Sequence, residues 1–179
     1  MKQLYKTVLL LVGIGMAVLG SVSAGAITRE DMLKLNAAYP PGSVVSCETR
    51  LEGNGKNIRP MLLKTRGHIK KRTEKLSQAD VSTVFIPQGS STVTMTVNYQ
   101  QRATMEEDGE LVDIDPDSLT VSFSAANPAA EAVVAKKMRD ILPPSGSDLR
   151  PYETAKITVF PAYTIFPPGQ PPIYCHKEK

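Results

Sequence analysis

Val81-Ser82-Thr83-Val84-Phe85-Ile86 and Ser91-Thr92-Val93-Thr94-Met95-Thr96-Val97-Asn98-Tyr99 flank the turn residues Pro87-Gln88-Gly89-Ser90. The second run sets Val93, Met95, Val97 and Tyr99 on one face and Thr92, Thr94, Thr96 and Asn98 on the other. A period of two belongs to a half-buried strand. With Pro and Gly between them, the two runs predict a β-hairpin.

Upstream of the hairpin the same period recurs. Ser43 to Leu51 places Val45, Cys47, Thr49 and Leu51 opposite Val44, Ser46, Glu48 and Arg50, and Glu52-Gly53-Asn54-Gly55 then turns the chain. Thr28-Arg29-Glu30-Asp31 has the form of a helix N-cap with an acidic first turn. Met32, Leu33 and Leu35 supply a short apolar face before Tyr39-Pro40-Pro41-Gly42 stops the helix. The basic stretch Arg59 to Lys75 fits helix and strand equally well.

Downstream, Asp108-Gly109 reads as a turn, and Leu119, Val121 and Phe123 alternate as a strand. Asn127-Pro128 opens a helix over about 128–141, with Ala130, Val133, Val134, Met138, Ile141 and Leu142 at helical spacing until Pro143-Pro144. Glu153 to Phe160 alternates again, a strand placed beside the one ending at Ser124. Strand, helix, strand at that spacing permits a right-handed crossover.

Pro161, Pro167, Pro168, Pro171 and Pro172 then interrupt the chain, which predicts an extended tail in place of a central strand. Tyr39-Pro40-Pro41-Gly42 before Cys47 and Phe166-Pro167-Pro168-Gly169 before Cys175 are alike. Pro-Gly suits the central pair of a type II turn. The expected fold is α+β: a single domain with a mostly antiparallel sheet, one long helix (about 128–141) packed on it, a short N-terminal helix and an extended Pro-rich C-terminal tail. The expected division is a leader over 1–26, a globular domain over 27–160 and a tail over 161–179.

The leader reading rests on Lys2 and Lys6, the apolar centre Val8-Leu9-Leu10-Leu11-Val12 and the small residues Ser23, Ala24, Gly25 and Ala26. That order is a secretory signal peptide, with cleavage after Ala24 or Ala26. An uncleaved anchor is the alternative. The chain has 179 residues, 41% of them apolar and 22% charged, with no Trp. A large multidomain enzyme is excluded by that length. Removal of the leader leaves 19 basic against 18 acidic residues, so no global attraction to nucleic acid is expected. Membrane association is expected only through an uncleaved leader or weakly through a basic face.

Two cysteines in an exported chain are most simply a disulfide, Cys47 to Cys175. Arg66, His68, Lys70, Lys71, Arg72 and Lys75 are the candidates for holding an anionic or acidic partner. Phe166, Pro167, Pro168, Pro171, Pro172 and Tyr174 are candidate tail contacts. Asp113, Asp115 and Asp117 have the spacing of a calcium loop, but Ser118 stands where such a loop needs Gly. No metal or other cofactor is therefore assigned, with a weak calcium site at Asp113, Asp115 and Asp117 as the alternative. His68 and His176 are the two histidines, and no nucleophile elbow accompanies them.

These readings point away from catalysis. The expected role is an exported non-catalytic interaction or assembly component of a bacterial cell-envelope complex of secretion, conjugation or surface-appendage type, periplasmic or secreted, with protein partners in the envelope. The alternatives are a small exported hydrolase using the carboxylates between Glu106 and Asp117, or a secreted factor acting on another cell.

Overall fold

A computed structural model describes residues 27–53, 59–89 and 93–179. The leader, Asn54-Gly55 and Ser90 to Thr92 lie outside the described residues. Four long strands form the body of the fold: β2 (Met61–Arg72), β3 (Leu76–Pro87), β4 (Met95–Met105) and β5 (Gly109–Phe123). Each pairs antiparallel with the next. The hairpin read from the sequence is the β3–β4 pair, with Val81 opposite Tyr99 and Thr83 opposite Val97.

β1 (Val44–Leu51) flanks β2, and then β9 (Ile173–Lys177), β8 (Ala162–Ile165) and β7 (Ala155–Val159) follow. β6 (Leu149–Pro151) closes the other end of the sheet, on β5. The nine strands run in the order β6-β5-β4-β3-β2-β1-β9-β8-β7. Its two outermost strands are consecutive in the chain, joined by the single 3-10 turn Tyr152–Thr154. The sheet must therefore curl until its ends meet, in the sense its twist favours. The backbone N–H of Ile27 donates to the carbonyl of Ala155 beside that seam.

Curling gives the sheet an inner face. Thr65 lies between Cys47 and Thr83, and Gly67 between Val45 and Val81, so these residues share that face across three strands. Leu63, Phe85, Val97, Leu119 and Val121 pack at one end of it. At the other end helix α1 (Arg29–Ala37) buries Met32 and Leu35 against Ile69, Met105, Tyr152 and Ala155. Thr28 caps that helix: its Oγ1 accepts from the Asp31 N–H at 3.1 Å, and the Asp31 carboxylate accepts from the Thr28 N–H. Such a cap contributes about 1 kcal/mol.

Helix α2 (Pro128–Arg139) has the expected Asn127 cap, whose side chain accepts from the Ala130 N–H. It does not do the expected work. Among its residues only Ala135 and Met138 are buried, Val133 is 53% exposed, and the helix stops before Ile141. The α+β arrangement with a long helix over 128–141 laid on a sheet is thus replaced by a nine-stranded antiparallel sheet whose core is covered mainly by the curl itself. The short α2 shields the free edge of β5 instead. Arg139 donates to the carbonyls of Pro116 and Leu119, and Glu131 accepts from the Phe123 N–H at 2.9 Å. An open edge would otherwise offer those groups to other chains.

Two further expectations are overturned. β7 pairs with β8 and not with the strand ending at Ser124, and β5 and β6 are antiparallel, so no crossover forms. The extended tail is also absent: Ala162–Ile165 and Ile173–Lys177 are strands, and β9 is an inner one. Prolines 167, 168, 171 and 172 all fall in the connection between β8 and β9, where a missing N–H costs no ladder bond. The two Pro-Gly turns do form alike. Ser43 N–H donates to Pro40 and Gln170 N–H to Pro167, with Gly42 and Gly169 at positive φ.

Candidate functional site

The curled sheet encloses a cavity of about 230 Å³. Val45, Ile69, Val81, Ile165 and Ile173 form much of its apolar wall, and Leu149 is its one solvent-exposed lining residue. Arg72, Glu110, Arg150, Asn36 and Tyr163 supply a polar end. Few convergent polar groups in an apolar hollow is the usual form of a small-molecule site.

Arg72 reaches this interior because β2 is irregular. A register shift between Ile69 and Lys71 breaks the alternation, and one slipped residue exchanges the two faces of a strand. Its Nη1 donates to the carbonyls of Asn36 and Tyr39, both at 3.1 Å, and Nη2 donates to Ser77 Oγ at 2.9 Å. Those partners are neutral. Its Nε is buried and has no hydrogen-bond partner among the described residues.

Glu110 comes from the start of β5, next to Gly109. A Cβ on Gly109 would collide with the carbonyl of Arg150, so glycine permits β6 to close on β5 there. Burial raises the Glu110 carboxyl above the ordinary range, against the opposing pull of Arg150, Arg72 and a hydrogen bond from Asn36. Arg150 itself pairs with Asp148 at 3.0 Å. Asp148 is 2% exposed, and its second oxygen has no partner among the described residues.

Phenols complete the polar end. Burial pushes Tyr163 far up, aided by Tyr39 and Glu110, and pushes Tyr99 up to about 12. Both remain neutral hydrogen-bonding groups at physiological pH. Tyr39 donates to the carbonyl of Pro161 at 2.8 Å, and its ring meets that of Tyr163 edge-on.

The candidates read from the sequence are scattered by comparison. Cys47 and Cys175 form the disulfide, and Cys175 is 3% exposed, consistent with an oxidising extracellular or periplasmic location. Arg66, His68 and Lys70 are exposed on the outer face of β2, while Arg72 is inside. The outer stripe is internally balanced: Arg66 pairs with Glu178, Lys70 with Asp80 at 3.4 Å and Lys64 with Glu48 at 3.8 Å. Lys71 and Lys75 are exposed.

Phe166 and Tyr174 are 50% and 59% exposed, whereas Pro167 is buried and Pro168 lines the cavity. Pro171 and Pro172 are half-buried, and the Pro172 carbonyl accepts from Thr49 Oγ1. Asp113 accepts from Ser145 Oγ and the Gly146 N–H of the segment after α2, and Asp115 from the Asp117 N–H in its own stretch of β5, so both carboxylates are engaged in holding backbone. His176 is exposed on β9.

The sequence reading missed the meeting of Arg72, Glu110 and Arg150. Gly109 beside Glu110, and Gly67 inside the basic run, were the visible signals. The chain matches no family model, no curated protein and no solved structure.

Proposed function

We propose that this protein is an exported, non-catalytic component of a bacterial cell-envelope assembly, working by holding a protein partner. The observation that carries this reading is the tip of the β7–β8 hairpin, where Val159 is 77% and Phe160 57% exposed. Apolar surface left in water costs about 25 cal/mol per Å², so a pair of such side chains gains by being covered. The Tyr39 hydroxyl holds the tip through Pro161, and Lys177 Nζ reaches over Tyr39 to the Ala38 carbonyl. A held tip is pre-organised and loses little entropy on docking.

The signal-peptide reading of residues 1–26 and the buried disulfide support export. The carboxylates between Glu106 and Asp117 lend less to a hydrolase, because Asp113 and Asp115 are engaged with backbone and Ser145. The test is in-cell cross-linking in the native host with wild type and a Val159→Thr, Phe160→Ser double variant. Loss of a defined set of envelope neighbours from a normally folded variant supports the reading. An unchanged set of neighbours overturns the role of the hairpin tip.

A further inference from the structure

We infer that the cavity inside the sheet binds a compact monocarboxylate, its apolar body against the aliphatic wall and its carboxylate on the Arg72 guanidinium. This is independent of the hairpin reading above.

The first observation is Gly67. It sits in mid-strand, paired with Val45 on one side and Val81 on the other, and it lines the cavity. Glycine in a strand interior weakens the strand and packs nothing, and it often marks a place where something else approaches the backbone closely. Its φ is not positive, and a Cβ built there meets no atom within 4 Å. Neither backbone conformation nor crowding therefore requires glycine. What its missing side chain does is keep the hollow open.

The second observation is the orphan donor. Arg72 spends its terminal nitrogens on neutral acceptors, and its buried Nε–H has no partner among the described residues. A buried donor left unpaired costs about 1–3 kcal/mol, and because this Nε is shut off from the hollow, a ligand oxygen recovers that cost by drawing the guanidinium toward it. A carboxylate matches the fork of a guanidinium and forms charge-assisted bonds.

Charge balance gives the third. Among the described residues the charges acting on Arg72 are Glu110 and the phenols of Tyr39 and Tyr163, and Glu110 is shared with Arg150, which also pairs with Asp148. Burial disfavours the charged form of Glu110, and each proton it takes up leaves Arg72 without an anion. Size then restricts the occupant. A hollow of about 230 Å³ is smaller than the sites of drug-sized ligands, which run about 300–1,000 Å³.

The experiment is calorimetric titration of the full chain, disulfide intact, with octanoate, 3-phenylpropanoate and 1-octanol. At least one carboxylate is expected to bind about tenfold more tightly than the alcohol. Preference for octanoate points to a lipid-derived ligand, and preference for 3-phenylpropanoate to an aromatic acid. Gly67→Leu is expected to remove binding while keeping the circular dichroism and an equal or higher Tm. Arg72→Lys, which keeps the charge but loses the Nε donor, is expected to weaken the carboxylates about tenfold and leave the alcohol unchanged. Absence of carboxylate binding at millimolar concentration, equal affinity for acid and alcohol, or full binding by a folded Gly67→Leu would each overturn the proposal.

Discussion

Cys47 and Cys175 stand directly opposite each other in the register of β1 and β9, their Cα atoms 4.1 Å apart, although 128 positions separate them in the chain. The bond fastens the last strand to the first in the interior of the sheet. Within the ladder, β7 and β8 pair to the rest of the sheet through β9, so the cross-link secures the side of the curl that builds one wall of the cavity.

Replacing both cysteines by serine should therefore lower stability by about 2–5 kcal/mol, since a loop of this length has a large closure entropy in the unfolded chain. Urea denaturation of wild type with and without reductant checks this. The reduced protein should lose the same amount as the double variant, and protection of β8 and β9 amides from hydrogen exchange should fall most.

Gly109→Ala should destabilise the protein by about 2–4 kcal/mol. The added carbon would collide with the Arg150 carbonyl, and relief requires β6 to move away from β5. Gly67→Ala, which meets open space, should be tolerated by comparison. Thermal unfolding of the two variants side by side gives the contrast.

Charge reversal along the basic stretch should separate inside from outside. Arg72→Glu loses the bonds to Asn36, Tyr39 and Ser77 and brings a second carboxylate toward Glu110, at a cost of about 3–5 kcal/mol. Lys71→Glu and Lys75→Glu alter exposed positions and should stay within about 0.5 kcal/mol. Equal effects in denaturant titrations would contradict the inward placement of Arg72.

Stability should fall as pH rises through the carboxylate range, to the extent that Glu110 governs it. Its carboxyl is raised in the folded state by burial, so the unfolded chain releases this proton first. Below the ordinary Glu pKa both states are protonated and the contribution is complete. It is lost progressively between that value and the raised one. Glu110→Gln should flatten this component, visible as a difference in slope between variant and wild type from pH 4 to 7. Asp31 and Glu178, lowered by their bonds to Thr28 and Arg66, act oppositely, and their contribution is lost as pH falls. The comparison with Glu110→Gln removes their shared effect.

Much of the local structure was legible in the chain. The Thr28 cap, the Asn127-Pro128 helix start, the two Pro-Gly turns, the β3–β4 hairpin and the cysteine pair all depend on residues near in sequence or on chemistry with one partner available. Period and turn residues report such features because their physics is local. The basic stretch was ambiguous because a β-bulge inside it interrupts the period that would have named it a strand.

The curl belongs to the tertiary structure. Nothing in Leu149–Pro151 or Ala155–Val159 states that they are opposite ends of one sheet, since strand order depends on which edges meet after the whole meander has formed. The prolines of the C-terminal segment suggested a tail because composition averages over the segment, whereas pairing needs only the Pro-free stretches Ala162–Ile165 and Ile173–Lys177. Arg72 and Glu110 read as surface charges for the same reason. Alternation and composition determined which residues form strands and turns, while burial of these two charges arose only when a bulge, a glycine and sheet closure turned them into a common interior.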